Sequence, residues 1–249
     1  MTSLIISDIH ERWEKIRRIL EKYEPETDHT YFLGDWYDYW TFSMYDVENT
    51  ATLHKESLNS PRRTVFWGNH DMPYRYRSIR GLQCSGHDPL KYSTLDRILK
   101  PEDWAKTKFC EYVDGYLLSH AGIHNWYLQA FSEEQKVNTL EEILHKVLTL
   151  VKECKYDLDY EVKMHFLVGA GRARYGNQKF GGITWLDFEK EFQPVPNLNQ
   201  IVGHTHRDKV RTKHSEALNS KNYCIDTDSN HIAIINDNRS VSIIDVSDV

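Results

Sequence analysis

A mixed α/β fold is predicted by three features of the sequence. Short apolar runs alternate with helically spaced apolar residues between Leu4 and Trp67, which is the pattern of βαβ units. Each run stops at once in a small polar cluster of Gly, Asp, Asn or His. The C-terminal stretch adds three β-rich runs, with a turn signal between the last two.

Leu4-Ile5-Ile6 is the first expected strand, ending at Ser7-Asp8-Ile9-His10. Trp13, Ile16, Ile19, Leu20 and Tyr23 then recur at helical spacing, so a helix is expected from about Glu11 to Tyr23, ended by Pro25. Tyr31-Phe32-Leu33 is the second strand, closed by Gly34-Asp35. A helix is expected from Val47 to Leu58, with Pro61 beyond it. Thr64 to Trp67 is the third strand, stopped by Gly68-Asn69-His70-Asp71. A helical piece from Leu95 to Leu99 stops at Pro101, and Tyr116-Leu117-Leu118 is a strand ending at Ser119-His120-Ala121-Gly122.

Leu140, Ile143, Leu144, Val147, Leu148 and Val151 form one apolar helical stripe, and Thr139 with Glu142 resembles a capping box at its start. A glycine-rich loop runs from Gly169 to Gly182. Gln200-Ile201-Val202 leads into Gly203-His204-Thr205-His206. The tail carries runs at Tyr223 to Ile225, His231 to Ile235 and Val241 to Val246, and Asn236-Asp237-Asn238 predicts a closing hairpin. No repeat or long linker divides the chain. Residues 1–249 are expected to be a single domain with insertions at about 72–110 and 125–180.

Composition excludes several classes. The chain has 249 residues with a formal charge of −6, which excludes a strongly basic nucleic-acid coat but not a local phosphate-binding patch. No apolar run is long enough to span a bilayer, and the first residues do not resemble a secretory signal. Cys84, Cys110, Cys154 and Cys224 are far apart and form no C-x-x-C pair, so inert thiols in a reducing, cytoplasmic compartment are expected.

Five polar clusters share one design: Asp8-Ile9-His10, Gly34-Asp35-Trp36-Tyr37-Asp38, Gly68-Asn69-His70-Asp71, Ser119-His120-Ala121-Gly122 and Gly203-His204-Thr205-His206. Each follows an apolar strand, and sites in α/β sheets form beyond the carboxyl ends of strands. Asp, Asn and His without thiolate suit two divalent metal ions, manganese foremost, with iron and zinc as alternatives. The donor count exceeds what one ion needs, and a shared carboxylate would offset the repulsion of two.

These clusters, in this order, resemble the calcineurin-like metallophosphoesterases, whose pattern is D-x-H, G-D-x-x-D, G-N-H-[ED], a lone His and G-H-x-H. The resemblance implies a four-layer α/β/β/α sandwich with the site at the sheet edges. It implies that Asp8, His10, Asp35 and His206 bind one metal, that Asp35 bridges, and that Asn69, His120 and His204 bind the other. It also implies that His70 is a non-ligand histidine near the leaving group, oriented by Asp38. In such a site two cations would acidify a shared water to a bridging hydroxide, and a protonated His beside a carboxylate would protonate the leaving oxygen. Between His120 and His124, the former follows its strand directly and is the expected ligand.

The chain departs from the Ser/Thr phosphatases of that superfamily at two places. Tyr39 follows Asp38 where they have a phosphate-gripping Arg, and Asp71 stands where they have Glu. The stretches Gly182 to Trp185 and Tyr223 to Thr227 are similar to that branch and to diadenosine tetraphosphate hydrolases. Another arginine is therefore expected to hold phosphate. Arg172 and Arg174 in the glycine-rich loop are the candidates, with Arg75, Arg77 and Arg80 as a second patch. Trp36 and Tyr37 could stack on a base or phenyl group, although Trp36 fits core packing better.

The expected function is a dinuclear-metal phosphoesterase acting on phosphate monoesters of a phosphoprotein, nucleotide or small molecule. The alternative is a phosphodiesterase, nuclease or dinucleoside polyphosphate hydrolase on the same site, for which a nucleotide or nucleic acid would be the partner. A non-catalytic scaffold is the remote alternative. No membrane and no obligate protein partner are expected.

Overall fold

Strand–helix alternation produces two separate five-stranded sheets in the computed structural model, which describes residues 1–41, 43–79, 81–130, 140–155 and 166–249. The chain divides into two compact units, one made of Met1–Lys108, His206–Lys209 and Ile225–Val249, the other of Phe109–Thr205 and Val210–Cys224. Elements are numbered along the chain.

The first unit holds β1 (Ser3–Ile6), α1 (Trp13–Tyr23), β2 (His29–Phe32), α2 (Met44–Asn59), β3 (Arg63–Val65), α3 (Met72–Arg75), α4 (Tyr92–Ile98), α5 (Pro101–Trp104), β9 (His231–Ile235) and β10 (Val241–Asp245). Its sheet has the order β10-β9-β1-β2-β3. The β1, β2 and β3 strands are parallel, as βαβ units require, and β9 and β10 add the expected antiparallel hairpin. All four residues of β1 are buried, the signature of a central strand covered on both faces. Helix α1 buries Ile16, Ile19 and Leu20, with Glu14 in its first turn and Lys22 in its last, the charge arrangement that suits a helix dipole. Helix α2 begins three residues before the expected Val47 because Ser43 and Asp46 form a reciprocal capping box.

The second unit holds β4 (Cys110–Val113), β5 (Tyr116–Ser119), α6 (Asn125–Ala130), α7 (Leu140–Lys155), β6 (Asn199–Val202), β7 (Arg211–Thr212) and β8 (Asn222–Cys224). Its sheet runs β4-β5-β6-β8-β7, with β5, β6 and β8 parallel and the two edges antiparallel. Ala121, Leu186, Phe188, Phe192, Val202 and Cys224 pack as its core. The apolar stripe of 140–151 is a helix, while Thr139 of the expected capping box lies outside the described residues. No described helix is long and apolar enough to cross a membrane.

Two glycines set how closely the strand ends of the first unit approach. Gly34 has φ +102°, and a Cβ there would lie 2.4 Å from the Gly68 nitrogen. A Cβ on Gly68 would lie 2.2 Å from the Asp35 nitrogen and 2.1 Å from Asp35 Oδ1. Backbone cannot yield to such a contact as a flexible side chain can. Gly68→Ala should therefore lower the unfolding free energy of the metal-free protein by about 1–3 kcal/mol, read from urea denaturation. An unchanged midpoint would show that the two loops tolerate separation.

Candidate metal centre

Three strand ends of the first unit deliver one group of candidate ligands. Past β1 the chain turns through Asp8, His10 and Glu11, with φ of 47°, 42° and 55°, and past β2 through Asp35 at 55° and Asp38 at 75°. Such backbone costs about 1–3 kcal/mol per non-glycine residue and persists only where its surroundings enforce it. Here the amides of Ile9 and His10 both donate to the Asp35 carbonyl at 2.8 and 2.9 Å, and that of Glu11 donates to the Trp36 carbonyl at 2.9 Å. The two loops are thus zipped together. One donor atom from each of Asp8, His10 and Asp35 lies within 4.8 Å of the others. The Tyr37 carbonyl lies 2.7 Å from His10 Nδ1, so Nδ1 carries the proton and Nε2 is the lone-pair face. That Nε2 is 3.8 Å from Asp35 Oδ2. Burial lowers the His10 pKa against the raising influence of Asp35, favouring the neutral imidazole that a cation binds.

The third strand end is locked to the second. Asp71 accepts the amides of Gly68 at 3.0 Å, Asp35 at 2.9 Å and Trp36 at 2.8 Å. Asp35 Oδ1 in turn accepts the His70 amide at 2.9 Å. Asn69 is buried, and the Cys84 thiol donates to its carbonyl at 3.1 Å.

Behind these ligands lies a buried charged network. Asp38 Oδ2 is 3.0 Å from His70 Nδ1. Asp38 Oδ1 accepts from the Lys91 ammonium at 2.9 Å and from the Tyr74 hydroxyl. Lys91 also donates to Glu11 Oε1 at 2.7 Å. Glu11 accepts the backbone amides of Asp38 at 3.0 Å and Tyr39 at 2.5 Å. Burial raises the Asp38 pKa, but His70, Lys91 and Tyr74 together bring it below the ordinary carboxylate value. Burial lowers that of His70, but Asp35 and Asp38 more than offset this and leave it raised. His70 and Asp38, both singled out in the sequence, therefore lie side by side. Glu11, Tyr74 and Lys91 were not foreseen. Lys91 is 53 residues from Asp38, and no local spacing signals that pairing.

The second unit pairs His120 and His204. The Gly203 amide donates to the His120 carbonyl at 2.7 Å, and His120 Nε2 is 3.2 Å from His204 Nδ1. His204 has φ +67°, and its ring meets the edge of Trp185 at 5.5 Å. His124 serves its helix instead: its Nδ1 accepts the Trp126 amide at 3.0 Å at the start of α6, and its ring stacks on Phe180 at 3.8 Å. His206 belongs to the first unit, where its Nδ1 is 3.6 Å from Asp226 and from Asp228. Asp226 is the main cause of its raised pKa.

The arginines are largely engaged. Arg174 Nε is 2.9 Å from Asp187, and its Nη2 donates to Thr205 Oγ1 at 3.2 Å, bracing the loop after His204. Arg172 is exposed. The amides of Ala173 and Gly181 in the glycine-rich loop donate to the buried Glu191 at 3.0 and 2.9 Å. A Cβ on Gly171 would come within 2.2 Å of that carboxylate, so these glycines let the loop close on Glu191. Arg77 pairs with Asp96 at 2.6 Å and lies over Tyr92, and Arg75 lies over Tyr76. Arg80 lies outside the described residues. Trp36 and Tyr37 are core side chains, Trp36 stacking on His54 at 4.3 Å.

The sequence profile of the calcineurin-like phosphoesterases matches residues 1–208. The chain belongs to that family. No curated protein sequence matches it. Among solved structures, a point mutant of a cold-active protein tyrosine phosphatase is similar with a TM-score of 0.60 at 15% identity, over 100% of this chain and 78% of that one. The cold-active protein-tyrosine phosphatase of the psychrophile Shewanella SP. gives 0.58 at 14% identity, over 97% and 80%. At such identity the likeness is one of fold. As a calcineurin-like phosphoesterase the chain is a metal-dependent phosphoester hydrolase. The family generally binds two divalent metals, and the donor set fits: Asp8, His10 and Asp35 are clustered, largely buried oxygen and nitrogen ligands without thiolate.

His124 gives the phosphoesterase a pH-sensitive point of stability. Burial lowers its pKa to about 4, against about 6.5 unfolded. Between these values the unfolded chain binds more protons, so stability rises with pH through this window and is lost as pH falls from about 6.5 towards 4. His124→Asn keeps a capping acceptor at α6 and removes the titration. The variant should show a shallower loss of thermal midpoint over that same pH interval than the parent. Parallel curves would rule out this origin.

Proposed function

We propose that this phosphoesterase hydrolyses phosphate monoesters, with residues 1–249 acting as one catalytic domain in the cytoplasm. Two divalent ions, manganese foremost, are assigned to Asp8, His10, Asp35 and His206 and to Asn69, His120 and His204, with Asp35 shared. The observation that carries the reading is the Asp38–His70 pair at 3.0 Å in the same unit as the Asp8, His10 and Asp35 cluster. Bound divalent cations supply the positive charge that acidifies water and neutralises phosphoryl oxygens. The chain's own residues supply the rest. Asp38 orients the His70 ring through Nδ1, which turns Nε2 away from the carboxylate and leaves it to protonate the departing ester oxygen. In the metal-free site Asp35 and Asp38 raise the His70 pKa against burial. Asp38, which is not among the assigned metal ligands, would remain the carboxylate partner of His70.

Monoester preference has two supports. The structures of similar fold are named as protein tyrosine phosphatases. Trp40, two residues past Asp38, is 76% exposed and offers an aromatic face to an aryl or nucleoside group. Arg174, tied to Thr205 and Asp187, and the exposed Arg172 are the assigned phosphate contacts. Among the described residues Cys84, Cys110 and Cys224 form no disulfide, which fits the cytoplasmic assignment.

The test is turnover by the manganese-loaded protein of an aryl monoester, an aryl diester, a dinucleoside polyphosphate, a cyclic nucleotide and a phosphopeptide. Higher kcat/KM on the monoester and phosphopeptide is expected, and preference for the diester or polyphosphate would reverse the assignment. His70→Asn should keep two metals per chain and slow turnover by roughly 10²–10⁴-fold; parent-like rates on both activated and poor leaving groups would remove His70 from the chemistry. Asp35→Asn should lose metal by elemental analysis, and full occupancy would refute the shared carboxylate.

A further inference from the structure

The two oxygens of Asp38 have separate duties. Oδ2 faces His70 Nδ1 at 3.0 Å. Oδ1 is filled by the Lys91 ammonium at 2.9 Å and by the Tyr74 hydroxyl. A carboxylate with one oxygen held by two donors cannot rotate without breaking both bonds, so the direction of Oδ2 is fixed.

Lys91 is itself immobilised. It is fully buried, and its ammonium also donates to Glu11 Oε1 at 2.7 Å. That same Glu11 accepts the Asp38 amide at 3.0 Å and the Tyr39 amide at 2.5 Å. One carboxylate therefore anchors both the lysine that grips the Asp38 side chain and the backbone that presents it. The Tyr74 hydroxyl is aligned by the Asp88 amide, which donates to it at 3.1 Å. As a stabilising device such an arrangement is poor: well-packed apolar residues usually serve as well as a buried ion pair or better. What it provides is direction.

We propose that Lys91, seated on Glu11 and seconded by Tyr74, is a positioning residue for proton delivery by His70. It fixes Asp38 so that Oδ2 holds the imidazole with Nδ1 protonated and Nε2 turned to the leaving oxygen. The inference rests on His70 being the proton donor of the proposed reaction. In that step the bond from phosphorus to the ester oxygen breaks, a water oxygen bonds to phosphorus, and the proton that this water gives up passes to solvent. The His70 Nε2 proton passes to the departing oxygen, leaving a neutral imidazole still donating to Asp38 through Nδ1. Lys91, Glu11 and Tyr74 exchange no proton in this step.

The test compares the parent with Glu11→Gln/Lys91→Met, which removes one negative and one positive buried charge together, and with Tyr74→Phe. Metal content should stay at the parent level in both. An alkyl monoester needs leaving-group protonation, whereas an aryl ester with an acidic phenol needs little. For the double variant, kcat on the alkyl ester should fall about 10–100-fold, and on the nitrophenyl ester less than about threefold, with KM nearly constant. Tyr74→Phe should show the same selectivity at smaller size, and it carries the test if the double variant fails to fold. Equal losses on both esters, or no loss on the alkyl ester, would overturn the proposal.

A second readout needs no turnover. The downfield proton resonance of His70 Nδ1–H, assigned by its absence in His70→Asn, should move upfield or vanish in the double variant. An unchanged resonance would overturn the positioning role. If the parent hydrolysed no ester, the functional reading would fail while this resonance still judged Lys91.

Discussion

One buried carboxylate, that of Asp71, holds the site of the first unit together. Asp71 gathers the amides of Asp35, Trp36 and Gly68 within 3.0 Å. Hydrogen bonds to a charged acceptor are worth about 1.5–3 kcal/mol each, enough together to hold Asp35 in its left-handed backbone. The absence of a side chain at Gly68 lets the β3 loop come close enough for Asp35 Oδ1 to accept the His70 amide. Asp35 is therefore fixed at its amide by Asp71 and at its side chain by the His70 backbone. Its other oxygen remains beside His10.

How much of this was legible in the sequence follows from the range of each interaction. The parallel strands were visible because β1 is buried on both faces and must be apolar throughout. The polar clusters were visible because each is local and follows its strand directly. Edge strands β4 and β7 were not foreseen: Tyr112 and Glu111 alternate too weakly, and Arg211–Thr212 is only two residues long. Asp71 could be noted as a departure from Glu, but its three amide partners come from loops that only the fold joins.

The glycine-rich loop has internal partners that its composition does not reveal. Arg172, Arg174 and the neighbouring glycines read as a cradle for phosphate, because that composition suits one. In the fold, two of the loop amides answer Glu191 and the Arg174 guanidinium answers Asp187 and Thr205. Composition reported the capacity to bind an anion. It did not report that the anions closest to hand are the protein's own carboxylates.

The same distinction explains why the pKa values of Glu11 and Asp38, which share one lysine, shift in opposite directions. Burial raises both. For Glu11 it prevails over the lowering by Lys91 and by two backbone amides. For Asp38 the combined pull of His70, Lys91 and Tyr74 prevails. Two carboxylates around one ammonium are thereby driven apart, the arrangement by which proteins allocate acid and base roles. The ammonium of Lys91 bridges both carboxylates, Glu11 at 2.7 Å and Asp38 at 2.9 Å, and Asp38 is the one that faces the histidine. A hydrophobic replacement could fill the same volume, but it could not hold Asp38 as an anion beside His70.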